Sequence, residues 1–211
     1  MAELTRQQLI LALVAAPHSA NLAGVDLSDL SLSGLCFSKA NLCRTRLQFS
    51  NLQEADLSGA SLIQAQMQHA ILQQANLNEA DLTHARLEDA NFSRASLRSA
   101  CLMFAKMQHA ILQQANLERS LLCGVNLDEA DLQDANLSHC NLENASLRNA
   151  NLRRAKLTHA NLNGADLSGA HLEDADLTHV NLSSVILSDA HLDGAILSED
   201  SLTAQGISVD F

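Results

Sequence analysis

A hydrophobic side chain recurs at every fifth position along almost the whole chain. From Leu22 to Leu202 this step of five reaches 37 consecutive positions, of which 33 are Leu and the others Phe or Met. Ala fills 26 of the positions two residues earlier, and Asn or Asp fills 18 of the positions immediately before. Neither the 3.6-residue period of an α-helix nor the alternation of a strand keeps every fifth side chain on one face. The chain is therefore expected to turn inward once per five-residue unit.

Two further patterns predict that four such units make one coil of twenty residues. The segment from Met67 to Leu77 is repeated at Met107 to Leu117, forty residues later, which equals two coils. Opposite charges also recur at an offset of twenty. The predicted pairs are Arg98 with Glu118, Asp128 with Arg148, Arg153 with Glu173, Arg154 with Asp174, and Lys156 with Asp176.

Units such as AlaAspLeuSerGly at Ala165 to Gly169 resemble the A(D/N)LXX repeats of the pentapeptide-repeat family, and the Leu-centred, uninterrupted pattern is similar to its cyanobacterial members. The resemblance implies an all-β solenoid, a right-handed quadrilateral β-helix with four five-residue units per coil and about nine coils. In that fold the central Leu and the Ala two residues earlier point inward, and the last two residues of each unit face solvent. At roughly 4.8 Å per coil, the rod is on the order of 45 Å long.

Three segments are predicted. Residues 1–19 form an N-terminal cap, in which Thr5 starts a short helix over residues 6–15 and Pro17 ends it. Residues 20–202 form the β-helix. Residues 203–211 are a C-terminal tail that either folds under the last coil or pairs two rods end to end, giving a homodimer through the C-terminal end.

Composition and charge argue against several classes of function. A net charge of −11 argues against direct binding of nucleic acid. Five Cys without a CxxC pair favour a reducing compartment, and no apolar run approaches the roughly 20 residues that span a bilayer. We therefore expect a cytoplasmic bacterial protein without membrane contact. The alternative is export, if the run from Leu9 to Ala16 is a signal-peptide core.

Reading the outward positions in columns twenty residues apart gives three candidate surfaces. The first is an apolar cluster, typical of a protein interface. An alternative is that its members only cover each other. The residues of this candidate interaction patch are Ile63, Cys101, Met103, Phe104, Leu121 and Cys123.

The second candidate is a column of His139, His159 and His179, whose imidazoles could ligate a metal; the alternative is a solvated column inherited by coil duplication. His171 and His191 form a weaker pair of the same kind.

The third candidate is acidic. Residues 157–211 contain nine Asp or Glu and no Lys or Arg. Such a charged run is either an ordinary solvated surface or a docking site for a basic partner. The residues of the candidate acidic docking surface are Asp166, Glu173, Asp174, Asp176, Asp189 and Asp193.

No P-loop, GxSxG or HExxH motif is present, and we predict no enzyme activity, no catalytic residues and no cofactor. The leading hypothesis is a scaffold or regulatory protein that binds a protein partner through the solenoid faces. The alternative is a DNA mimic that binds DNA gyrase or another type II topoisomerase, as the quinolone-resistance branch of the family does. That branch is richer in central Phe and carries loops that are absent here. A metal-binding protein using the His column is a remote alternative.

Overall fold

The structure, a computed structural model, describes residues 7–10 and 20–198. Residues 20–198 form a β-solenoid whose coils repeat every twenty residues. Thirty isolated parallel bridges each join a residue to the one twenty positions later, from Asn21 with Asn41 onward. The two longer strands, β1 (Asp176–Leu177) and β2 (Ile196–Leu197), are parallel and pair Asp176 with Ile196. The predicted coil of four five-residue units is therefore present.

The coils are numbered 1 to 9, with coil 1 starting at Ala20, and each has four sides. We name the sides after the central residue in coil 1, and each side continues at every twentieth residue. Side A starts at Leu22, side B at Leu27, side C at Leu32 and side D at Phe37.

Every backbone N–H of a typical unit has an acceptor. In the unit 76–80, three N–H groups donate to carbonyls of neighbouring coils at 2.9, 2.7 and 2.9 Å, and that of Ala80 donates to Leu77 within its own turn at 3.1 Å. The remaining N–H, of Asn78, donates to Oδ1 of Asn76 at 3.2 Å. The side chain before the central Leu thus completes the hydrogen bonding that the backbone alone leaves unfinished.

This side-chain bond explains why Asn and Asp recur before the central residue. All eighteen Asn and Asp residues at that position accept a hydrogen bond from the backbone N–H two residues later. Where a unit lacks Asn or Asp at this position, a neighbouring coil sometimes supplies the acceptor. The N–H of Arg98, for example, donates to Oδ1 of Asn78.

The last residue of each unit turns the chain. Its φ lies in the left-handed region at 27 non-Gly positions and seven Gly positions of residues 20–198. This conformation costs roughly 1–2 kcal/mol for a residue with a Cβ. Its N–H bonds to the adjacent coil, as Glu79 does with the Arg98 carbonyl at 2.9 Å, and such ladder bonds offset the cost.

The interior is a continuous column of central residues flanked by Ala. Nearly all central Leu are buried, as are Phe37, Phe92, Met67 and Met107. Each buried Leu stabilises the fold by roughly 1.5–3 kcal/mol, so the fold needs few aromatic residues. Residues 7–10 are helical, and Leu9 is fully buried in the same cluster. The rest of the predicted N-terminal helix and the C-terminal tail lie outside the described residues.

The outward positions differ from the expectation in one respect. The last residue of each unit is generally exposed, but the residue before it is half-buried in most described units. Its side chain is therefore partly covered within the solenoid. No helix in the described ranges is long and apolar enough to cross a membrane.

Three of the five predicted charge pairs form at an offset of twenty. Arg98 with Glu118, Arg148 with Asp128, and Arg153 with Glu173 approach to 2.9, 2.6 and 2.7 Å. Arg154, predicted to pair with Asp174, bonds instead to Asp134 of the preceding coil at 2.8 Å. The Asp174 carboxylate lies over Gly194, away from Arg154. Lys156 and Asp176 are bridged partners but form no ion pair within residues 20–198.

The hydrogen bond from the turn N–H to the side chain before the central residue can be tested on side B. We expect Asn126→Ala to lower the free energy of unfolding by about 1 kcal/mol, because the 2.9 Å bond from the Asp128 N–H is lost. Lys106→Ala is the matched control, one coil away in the same column, because no hydrogen bond of its side chain serves the turn. Urea unfolding followed by circular dichroism measures both, and equal losses in the two variants would contradict this role of Asn.

Candidate functional site

The predicted apolar patch lies on side A of the solenoid. Cys101 and Leu121 are bridged neighbours on coils 5 and 6, and Met103 and Cys123 lie beside them in the next column. Ile63 lies in that same column two coils before Met103, with Thr83 between them. Phe104 and Leu121 are 53% and 43% exposed, and the other four residues are half-buried. The structure therefore brings five of the six residues together and leaves the two largest apolar side chains open to solvent.

The Phe104 ring is held flat along side A by its neighbours. It stacks on His84 of the preceding coil, with ring centroids 5.2 Å apart and planes 17° apart. On the following coil the ring covers Gly124, where an added Cβ would lie 2.7 Å from two ring carbons. Ordering this side chain on binding consequently costs little conformational entropy. Sequence reasoning missed His84, although it stands twenty residues before Phe104 and the same column reading finds it.

Side A is also poor in charge. Among its outward positions in residues 20–198 only Arg44, Asp81 and Glu143 are formally charged, whereas each of the other sides carries eight or more such residues. Covering side A with another surface therefore desolvates few charges, and burying a charge without a partner is costly.

The apolar character of side A continues toward coil 1. A shallow recess of about 440 Å³ lies there, with Ala23 and Gly24 among its lining residues. Cys43, Ile63, Arg44 and Gln64 complete its lining. The recess makes the apolar part of side A longer than the predicted patch.

The thiols near this surface are held protonated. Burial raises the pKa of the Cys123 thiol, and the neighbouring Glu143 carboxylate raises it further. Burial raises the pKa of Cys140 to about 11, against the opposing effect of its hydrogen bond with Ser120. A raised pKa lowers the thiolate fraction, so neither residue has the environment of a nucleophilic cysteine.

The predicted His column on side D is a stack of parallel rings. His139 and His159 have centroids 4.9 Å apart, and His159 and His179 are 4.5 Å apart, with planes within 14° of parallel. The nitrogen lone pairs of an imidazole lie in the ring plane, so parallel rings direct them side by side and do not converge on one metal ion. Stacking accounts for the column.

One group of three ligand-type side chains in the described part of the chain does come together. It comprises His171, Glu173 and His191 on side C, with ligand atoms within 4.8 Å of one another. Nη2 of Arg153 lies 2.9 Å from Nδ1 of His171 and donates to Oε1 of Glu173 at 2.7 Å. The guanidinium thus occupies the position where a metal ion would have to bind these two atoms.

The Arg153 contact is one of several hydrogen bonds that lower the pKa of Glu173. Burial opposes ionisation, but hydrogen bonds from its own backbone N–H, from Arg153 and from His171 outweigh it and lower the pKa of Glu173 to about 2. The carboxylate therefore remains ionised at pH values well below those at which a Glu side chain is usually protonated.

The candidate acidic docking surface extends around three sides. Asp166 and Asp189 lie on side B, Asp176 lies on side D, and Glu173, Asp174 and Asp193 lie together on side C. Several carboxylates have internal partners, since Asp166 accepts hydrogen bonds from Ser168 and Asp176 from Thr178. The six residues consequently do not share one face.

Comparison with known proteins identifies the repeat. The sequence profile of the Pentapeptide repeats matches overlapping segments that run from residue 18 to residue 198. The chain belongs to the pentapeptide-repeat family. Proteins of this family form right-handed quadrilateral β-helices, and they are generally structural or binding proteins, not enzymes. No protein with a curated description matches the chain.

Solved pentapeptide-repeat structures are similar along most of its length. HetL, involved in heterocyst differentiation regulation in the cyanobacterium Nostoc sp. strain PCC 7120, is 32% identical; the match covers 92% of this chain and 95% of HetL, with a TM-score of 0.40. QnrB1, a plasmid-mediated fluoroquinolone resistance protein, is 20% identical, with 92% and 100% covered and a TM-score of 0.55. At that identity the likeness to QnrB1 supports the fold alone.

The contact between Phe104 and Gly124 can be tested by adding a methyl group. Gly124→Ala should displace the ring and change the NMR shifts of the His84 ring protons, because a Cβ at 124 cannot coexist with the present ring position. Gly34→Ala is the control, as it has a similar φ but nothing within 4 Å of an added Cβ. Unchanged His84 shifts in Gly124→Ala would show that the ring does not lie there.

Stability should depend on Glu173 in acid. The pKa of Glu173 is depressed in the folded protein. Its contribution to the free energy of unfolding is therefore fully present above about pH 4.5 and is lost as the pH falls toward 2. The difference in urea midpoint between wild type and Glu173→Gln should therefore shrink across that window. Glu79→Gln, which removes an exposed carboxylate without an ion pair to a described residue, should give a smaller difference throughout. A difference for Glu173→Gln that does not change with pH would contradict the assignment.

Proposed function

We propose that this protein acts by binding another protein through side A, with Phe104 and Leu121 as the central contacts, and that it catalyses no reaction. The observation that carries the proposal is the exposed, pre-ordered Phe104 ring within the side that has the fewest charges. Burying a side chain of this size contributes roughly 1.5–3 kcal/mol. All five cysteines are free thiols, which supports action in a reducing compartment.

Two features of side A support the binding of a partner over the alternative that its apolar residues only cover each other. The neighbours of Phe104 fix the ring in place but leave 53% of the residue exposed. Leu121, at 43%, lies on the next coil in an adjacent column. Interfaces are commonly dominated by a few aromatic and aliphatic residues surrounded by polar groups, and side A has that composition.

The alternative of a DNA mimic has less support from the geometry. Such a surface needs closely spaced carboxylates on one face, whereas the six residues of the candidate acidic docking surface extend around three sides and some accept hydrogen bonds from Arg, Ser or Thr. A gyrase supercoiling assay distinguishes the two proposals, because binding through side A predicts neither inhibition nor protection of the enzyme.

The proposed function can be tested by quantitative affinity capture from the native cell. The double variant Phe104→Ser with Leu121→Ser should lose at least tenfold of any partner that the wild type enriches. The matched control is Ile71→Ser with Ile111→Ser, which removes two similarly exposed apolar residues from side C. The control should retain the partner. Equal capture by both double variants would exclude side A as the binding surface.

A further inference from the structure

Side A carries a pattern that is complementary to itself, and we infer that its partner is a second copy of this chain, bound face to face with the two rods antiparallel. This inference rests on the proposed function and names the partner. The two-fold axis lies in the interface, perpendicular to the rods, between coil 4 and coil 5.

The symmetry fixes which residues meet. A two-fold axis of this orientation brings each column against the same column of the other copy and reverses the order of the coils. Coil 4 then faces coil 5, coil 3 faces coil 6, and coil 2 faces coil 7.

At the centre of this arrangement apolar and aromatic groups meet. The column of Phe104 also contains His84 one coil earlier, so each Phe104 ring faces His84 of the other copy. Ile63 on coil 3 faces Cys123 on coil 6 and lies near Leu121. Both contacts occur twice by symmetry, and they cover the two exposed apolar side chains of the patch.

At the periphery opposite charges meet. Arg44 on coil 2 faces coil 7, where Glu143 occupies the adjacent column. Within the described part of a single chain Arg44 donates to Oε1 of Gln64 at 2.9 Å, and neither Arg44 nor Glu143 is in an ion pair with a described residue. The third charged residue, Asp81, already accepts hydrogen bonds from the N–H and hydroxyl of Thr83.

Other arrangements lose this complementarity. Rods packed in parallel would bring each coil against itself, so Arg44 on coil 2 would not meet Glu143 on coil 7. Moving the two-fold axis by half a coil in either direction makes Arg44 face coil 6 or coil 8, whose outward side A residues are uncharged. One register alone therefore pairs both the charges and the apolar residues.

The interface is of modest size. Six coils at roughly 4.8 Å extend about 29 Å along the rod, on a side only one repeat unit wide. Such an area lies at the low end for specific protein complexes. We therefore expect a dimer in exchange with monomer at micromolar concentration, in which single charge reversals have large effects.

Sedimentation of the purified full-length chain over a range of concentrations tests the charge contacts. Arg44→Glu and Glu143→Arg should each weaken association at least tenfold, because each creates two like-charge contacts. The combined variant should recover it. Arg94→Glu on side C is the matched control, since Nε of Arg94 donates to Gln114 as that of Arg44 does to Gln64, and it should associate like wild type.

A cysteine variant tests the register directly. In Ile63→Cys, made together with Cys43→Ser because Cys43 lies one coil away in the same column, the new thiol should form an intermolecular disulfide with the native Cys123 on mild oxidation. The same pair cannot close within one chain, because three coils at roughly 4.8 Å separate the residues by about 14 Å, too far for a disulfide. Adding Cys123→Ser should abolish the covalent dimer on a non-reducing gel.

The outcomes separate the inference from the proposed function. A wild type that stays monomeric overturns the self-association, and the proposed function then stands if the Phe104→Ser, Leu121→Ser variant still loses a different partner. A dimer that the charge reversals leave intact overturns the antiparallel register. A dimer that survives Phe104→Ser with Leu121→Ser forms through another surface and overturns the inference, whereas the proposed function fails only if that variant also retains every partner that the wild type captures.

Discussion

The structure depends on one constraint, that every coil contains twenty residues. Because the spacing is constant, the N–H groups of each unit meet carbonyls of the adjacent coils, and each central Leu lies above another Leu. A single inserted residue kept in the ladder would shift the later Leu and Ala side chains from the interior to the surface, as a register slip does in a sheet. The same constraint explains Asn and Asp before the central residue, since they accept from the N–H that the ladder leaves unpaired.

Much of the fold could be predicted from the sequence because the five-residue period is uninterrupted. The five-residue step fixes which side chains point inward, and the repeat at Met67 and Met107 fixes the coil length. Three ion pairs follow directly from the offset of twenty. The fourth predicted pair failed at Arg154, since a residue in a column has a neighbour on both sides and the sequence does not say which it chooses.

The candidate site was only partly predictable for a related reason. Offset columns identified Phe104 and Leu121, but their exposure depends on rotamers, and the ring position over Gly124 depends on the absent Cβ. The acidic residues appeared to form one surface in the linear sequence, yet a chain that turns at every unit distributes neighbours over different sides. The ligand geometry at His171 likewise depends on Arg153, whose approach to Nδ1 no spacing rule specifies.

The left-handed residue that ends each unit has a consequence for how such surfaces arise. Its backbone is set by the turn and its side chain is generally exposed, so the position accepts Lys, Arg, Phe, His, Gln, Asp and Gly alike. Along one side these residues stand at intervals of about 4.8 Å, a spacing imposed by strand pairing and independent of their chemistry. Each of these outward residues can therefore be substituted without changing the spacing of the others. Duplication of a coil copies four of them, one on each side, and lengthens the rod by one coil.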